Sequence, residues 1–170
     1  MPLFPTTVGA EWTYSLEALA LRGSLVQRVE SAVQTENGHE LKISSMAELG
    51  GKVVIGEERL LVTPSAIFRL SGSMGTYQPS LCIYAERDWT WLGTVGEADN
   101  ARANGRALSE GTLLLPAGRF ITKASEVSVQ FGSTYTTSRY WLSKGVGWVR
   151  IEHDMPGGIL VAELKEFKPK

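Results

Sequence analysis

The chain has 170 residues, 43% of them hydrophobic and 21% charged, with a formal net charge of −1. That length suits a single domain spanning 1–170, which buries roughly 70% of the surface of its unfolded chain and folds without a disulfide or a metal. The composition excludes a disordered chain, and the near-zero, scattered charge excludes general nucleic-acid binding, which needs a basic excess to neutralise phosphates.

The first residues, Met1-Pro2-Leu3-Phe4-Pro5, have neither a basic n-region nor an apolar h-region, so the chain as it stands carries no export signal. Two readings stay open, a cytoplasmic protein or the mature part of an exported one. Between Ser15 and Val33 the apolar residues Leu16, Leu19, Ala20, Val26, Val29 and Val33 partly fit a helix. Gly23 interrupts that spacing, and the β-branched alternation favours a strand over 24–36. Asn37-Gly38 predicts a tight hairpin turn. Leu41, Ile43, Ala47 and Leu49 then share one face of a strand, opposite Lys42, Ser44 and Glu48. Gly50-Gly51 predicts a second hairpin. Glu57 and Glu58, adjacent on a predicted strand, face opposite ways, which argues against a paired general acid and base.

Ser71-Gly72-Ser73-Met74-Gly75 reads as a flexible loop. The single cysteine, Cys82, sits between apolar neighbours and is expected to be a small buried residue on a strand, since nothing electropositive is near to activate a thiol. Glu86-Arg87-Asp88 reads as a solvated turn. Trp89 and Trp91, two apart, share one face of a strand, where they fill the core or line an apolar cavity or interaction patch. The polar stretch Glu97 to Glu110, with Asn104-Gly105 inside it, is expected to be a surface loop or a short helical excursion.

Beyond it the alternation returns. Ile121, Val127, Val129 and Phe131 share a face opposite Thr122, Glu126, Ser128 and Gln130. Tyr135, Thr137 and Trp141 alternate with Thr136 and Ser138, and Leu160, Ala162 and Leu164 with Glu163 and Lys165. Pro156-Gly157-Gly158 predicts a third tight turn. Strand, short turn and strand in succession is the rhythm of an antiparallel meander. No run of 18 apolar residues is present, so no transmembrane helix is expected.

Catalytic motifs are missing. Of the two histidines, His39 is expected in an exposed turn. His153, between Glu152 and Asp154, is expected in a solvated turn rather than a metal site, because neighbours on a strand point apart. There is no Gly-x-Ser-x-Gly elbow, and Gly145-Val146-Gly147 lacks the rest of a phosphate loop. No catalytic residue, metal site or cofactor is expected. An enzyme would need polar groups to converge in a cleft, around Arg119, Glu126 or Arg139.

Three patterns occur together: Phe4-Pro5, Gly9 and Trp12-Thr13-Tyr14; Leu115-Pro116-Ala117-Gly118-Arg119-Phe120; and Tyr140-Trp141-Leu142-Ser143-Lys144-Gly145-Val146-Gly147-Trp148-Val149. In this order the chain resembles an uncharacterised bacterial domain of predicted lipoproteins and secreted proteins, from about residue 4 to 167. Ala10 departs from the asparagine usual after the glycine. The resemblance implies a mainly β, LolA-like architecture: a strongly curved antiparallel sheet, an open or half barrel, with one or two short helices on its concave face. It further implies a periplasmic or envelope location and a lipid or other apolar ligand held in the concavity. Trp89, Trp91, Tyr84, Phe68 and Trp141 are the expected lining. The alternative is a structural or protein-interaction domain of the cell envelope, with a protein partner or a second copy of the chain bound at its surface.

Overall fold

Trp12, Tyr14, Leu16 and Ala18 are buried while Thr13, Ser15 and Glu17 between them are not, and this period of two shapes the molecule. The computed structural model describes residues 2–170, the side chains at 98 and 99 excepted. Twelve strands follow one another: β1 (Glu11–Ala18), β2 (Leu21–Thr35), β3 (Gly38–Leu49), β4 (Lys52–Val62), β5 (Ala66–Gly72), β6 (Gly75–Ala85), β7 (Trp89–Val95), β8 (Ala98–Leu115), β9 (Gly118–Phe131), β10 (Thr134–Ser143), β11 (Gly147–Met155) and β12 (Gly158–Lys168). Each pairs antiparallel with the next, and β1 pairs with β12, so the sheet closes into an up-and-down barrel.

The mainly β, antiparallel expectation holds, but the open or half barrel and its helices do not. Glu11–Glu17 pair with Val161–Lys168, which removes the free edges of a half barrel. No helix occurs among the described residues, hence none long and apolar enough to cross a membrane. In place of a helix on a concave face, the segment before β1 covers apolar surface at one end of the barrel. Phe4 there is 1% exposed, its ring 5.1 Å from Trp12 and 5.5 Å from Trp148. Gly145 N–H donates to Pro2 O at 3.1 Å and Gly9 N–H to Val29 O at 2.8 Å, which ties this segment across the end of the barrel. The outer face is charged at mid-strand, from Glu40–Arg59 through Arg106–Glu126 to Arg150–Glu163. A barrel that spans lipid carries an apolar belt there instead.

The turns at Asn37-Gly38, Gly50-Gly51 and Pro156-Gly157-Gly158 lie where expected; the strand expected over 24–36 is part of β2, and the ambiguous stretch before it holds the end of β1 and a turn at Leu19-Ala20. The Ser71–Gly75 loop is a hairpin turn between β5 and β6. The stretch expected as loop or helix, Glu97 to Glu110, is mostly β8. Its inward positions Ala101, Ala103 and Gly105 are small, so it alternates in direction without alternating in hydropathy. Ile121 is exposed and Thr122 buried, the reverse of the expected order. Ala124 and Ser125 are both buried, so the inward face changes parity between them. Trp141, Tyr135 and Thr137 do share a face, and it is the outer one.

One seam differs from the rest. The β6–β7 ladder comprises Tyr77 with Val95 and Gln78 with Thr94, after which Pro79 has no N–H to give. Side chains take over from there. The Trp91 indole N–H donates to Pro79 O at 3.0 Å and that of Trp89 to Cys82 O at 3.1 Å. Ser125 Oγ on β9 reaches Ile83 O at 2.7 Å, so β6 packs directly on β9 and this side of the barrel is pinched shut.

Candidate functional site

Because β6 to β9 pack on themselves, the interior opens on the other side. A cavity of about 390 Å³ is lined from β1–β5 and β10–β12, with no residue from β6–β9 beyond the β5–β6 turn. It lies toward the end of the barrel that carries the turns after odd-numbered strands, opposite the end closed by Phe4. Leu16, Leu25, Ala47, Leu160 and Ala162 supply apolar wall, and Met74 in the β5–β6 turn adds a flexible apolar contact. The volume is in the range of small-molecule sites.

Polar residues line the cavity as well, Gln27, Ser45, Ser73 and Thr136 among them, and one group of them lies close together. Arg69 reaches inward from β5, and its Nη2 lies 3.1 Å from Glu58 Oε2 on β4, both side chains about 15% exposed. Glu57, the neighbour of Glu58, turns outward to Lys42 at 3.1 Å, as strand alternation requires. The Tyr140 ring centroid is 5.8 Å from the Arg69 guanidinium carbon. Burial alone would favour discharging Arg69, but the oxygens of Tyr140, Glu58 and Tyr77 outweigh it and hold it more firmly protonated than a free arginine. Burial in turn pushes the Tyr77 and Tyr14 hydroxyls up, and Tyr14 donates to Trp148 O at 2.9 Å.

His153 corrects an expectation. It lies on β11, not in a solvated turn, and faces the cavity edge-on to Tyr140. Its Nδ1 is 2.6 Å from Ser138 Oγ, its register partner on β10. Burial, then the charge of Arg69, pushes its pKa down to about 4, with Asp154 opposing. Glu152 points the other way, to Arg150 at 2.8 Å and Arg139 at 3.5 Å, so the Glu152-His153-Asp154 triplet does not converge.

The residues expected to line a ligand site are dispersed. Trp89 and Trp91 share the inner face of β7, where their indoles close the β6–β7 seam. Tyr84 is buried, its ring 6.1 Å from Trp148 and beside a shallower hollow near Lys123 and Lys144. Phe68 follows the buried Ile67 and sits half-buried on the outer face. Trp141 is on the outer face under the Arg150 guanidinium, 5.4 Å from its ring centroid. None of the five is in the wall of the end cavity. Glu126 and Arg139 pair at 2.9 Å on the outside, extended by Arg106 and Asp154, while Arg119 is exposed. Cys82 is buried as expected, its thiol pushed up to about 11 by burial.

The residues that do converge are Glu58, Arg69, Ser138, Tyr140 and His153; of these the sequence singles out Glu58 and His153 only to argue against a site, and marks no site role for Arg69, Ser138 or Tyr140. The available signal was an arginine in an apolar strand, with Ile67 two positions before it and Leu70 beside it. Such a residue is exposed or is paired inside.

No family model matches the chain, and no curated protein does. Solved structures do match. The chain is similar to a crystal structure of a predicted lipoprotein from Parabacteroides distasonis, at 14% identity and a TM-score of 0.62, over 99% of each chain. It is also similar to a predicted exported protein with a YmcC-like fold from Bacteroides fragilis, at 15% identity and a TM-score of 0.60, over 98% of this chain and 99% of that one. Identities this low show the fold alone. The likeness is to a YmcC-like barrel, in place of the LolA-like half barrel that the motifs implied.

Proposed function

We propose that the protein is a non-catalytic binding module of the bacterial cell envelope that takes a small apolar or amphiphilic ligand into its end cavity. The observation that carries this reading is the cavity itself: about 390 Å³, lined by aliphatic side chains together with polar ones that include the Arg69–Glu58 pair. The names of the two similar structures, a lipoprotein and an exported protein, support the envelope setting. The non-catalytic part is supported at His153, whose contact with Ser138 has no carboxylate bonded behind it, since Glu152 and Asp154 pair with Arg150 and Arg139. An imidazole with its pKa near 4 is a weak base at neutral pH, so its contact with Ser138 does little to activate that hydroxyl. In this reading Trp89 and Trp91 serve the barrel wall.

The test is native mass spectrometry of the purified protein before and after extraction with organic solvent, followed by titration with decyl-chain amphiphiles. An adduct that extraction removes, or saturable one-to-one binding afterwards, is the expected result. A bare mass and no saturable binding would overturn the reading.

A second reading is favoured by the tip of the β3–β4 hairpin. Val53, Val54 and Ile55 are each at least 60% exposed, and Met46, across from Ile55, is exposed too. An apolar tip of this kind suits a protein-interaction domain. Light scattering on wild type and I55D checks it: a dimer lost in the variant would favour this reading.

A further inference from the structure

The strands β4 and β5 differ in length, and the difference leaves part of β4 without a neighbour. β4 pairs with β3 along its whole length, from Lys52 with Leu49 to Val62 with His39. Its pairing with β5 stops at Arg59 with Ser71, and β5 ends one residue later at Gly72. Residues 52–58 therefore have a strand on one side and none on the other among the described residues. Leu49 and Lys52 flank the two-residue turn Gly50-Gly51, so a hydrogen bond between them closes it. Alternation along the ladder then points the N–H and C=O groups of Val53 and Ile55 away from β3, toward the open side. A bare edge of this kind is a template for a further strand.

The side chains at this edge are as unoccupied as its backbone. Val53, Val54 and Ile55 are 60%, 64% and 79% exposed. Val54 shares the inner face with its register partner Ala47, and Ile55 the outer face with Met46. The carboxylates that follow are already engaged, Glu57 with Lys42 and Glu58 with Arg69.

Resting on the protein-interaction reading above, we propose that the partner is a second copy of the chain, added antiparallel at this edge, β4 against β4. Two identical antiparallel strands are related by a two-fold axis. An axis at Val54 sets Val54 against Val54 of the second copy, and Val53 against Ile55 of the second copy, twice over. The open N–H and C=O groups of Val53 and Ile55 then meet one another, and apolar side chains cover each other on both faces. Lys52 faces Gly56 of the second copy, which has no side chain to oppose it. An axis at Ile55 would instead bring Val53 against Glu57, whose carboxylate holds Lys42. The apolar triplet is thus its own complement. A contact confined to residues 52–56 of each copy is far smaller than the roughly 20–30 residues a side of a standard interface, so association is weak.

The experiment combines sedimentation velocity with oxidative cross-linking of the full chain. Wild type is expected to pass from monomer to dimer between about 10 µM and 1 mM, and I55D to weaken the dimer about 10-fold or more. The Val54 pair is one without direct hydrogen bonds, which brings its Cα atoms to about 4.5 Å, within disulfide range. V54C is therefore expected to form an interchain disulfide about 10-fold or more faster than V33C, whose exposed site lies at the other end of the barrel. The native Cys82 is buried and takes no part. A dimer that I55D abolishes, with V54C no faster than V33C, overturns the strand pairing and leaves the protein-interaction reading in place. Wild type that stays monomeric throughout overturns both.

Discussion

Gly105 on β8 is the seat of Trp89 on β7: the two are register partners, and a Cβ on Gly105 would lie 1.8 Å from Cε2 of the indole. The ring cannot readily withdraw, because its N–H is bonded to Cys82 O across the β6–β7 seam. G105A is therefore an overpacking mutation beside the weakest row of backbone pairing in the barrel. It is expected to destabilise the protein by about 1–3 kcal/mol, measured by urea unfolding. The double variant W89A/G105A should lose less than the sum of the two single variants, since truncating the ring frees the space. Strict additivity would mean that the ring does not rest on Gly105.

The β1–β2 turn stores strain of the opposite kind, which a substitution can release. Leu19 and Ala20 have φ of 49° and 68°, in the left-handed region that side chains with a Cβ disfavour. Both being positive matches the tight hairpin turns that Asn-Gly ordinarily supplies. A20G is expected to stabilise the protein by about 0.5–1 kcal/mol and raise the melting temperature by a few degrees, the relief of strain being partly offset by unfolded-state entropy. A lower melting temperature would show the turn to be better served by alanine.

At the closed end, Phe4 packs against Trp12 and Trp148 and is almost wholly buried. F4A leaves a cavity against two rigid rings that cannot collapse into it. A loss of about 3–5 kcal/mol is expected, together with a changed tryptophan emission. A loss under 1 kcal/mol would mean that the segment before β1 is not what closes that end.

His153 gives stability a pH dependence of known sign. Its pKa in the folded chain is about 4, below the ordinary 6.5, because burial and then Arg69 oppose its charge. The folded chain therefore favours the neutral ring. The stability tied to this group is complete above about pH 6.5 and is lost as pH falls from there through 4, up to about 3 kcal/mol. H153Q should lose less stability than wild type between pH 7 and pH 4.5 in parallel urea titrations. Identical slopes for the two proteins would refute this assignment.

What the sequence discloses depends on whether a residue's chemistry is local. Asn37-Gly38, Gly50-Gly51 and Pro156-Gly157-Gly158 announce turns because those residues favour turn geometry wherever they stand. Leu19-Ala20 makes a turn that neither residue favours, so only the surrounding strands impose it. The β8 strand is hidden because its inward residues Ala101, Ala103 and Gly105 are small, Gly105 lying under the Trp89 ring, and a small inward residue does not stand out as apolar in an alternating pattern. Closure is hidden for another reason: nothing in Glu11–Glu17 names Val161–Lys168 as its partner. At the candidate site, His153 looks solvated because Glu152 and Asp154 flank it. Strand direction decides the matter and turns it inward while Glu152 turns out to Arg150. The pairing of Glu58 with Arg69 joins two neighbouring strands across a register shift, which no spacing rule marks.

The pairing of β1 with β12 also dictates an order of events during synthesis. Neighbouring strands can zip together as they emerge, but the row that joins Trp12 to Phe167 has no second half until the last strand has been translated. Until then the nascent chain presents β1 as a bare edge, with Trp12, Tyr14 and Leu16 on its inward face. Long-range pairing of this kind is slow to form and open to aggregation in the meantime.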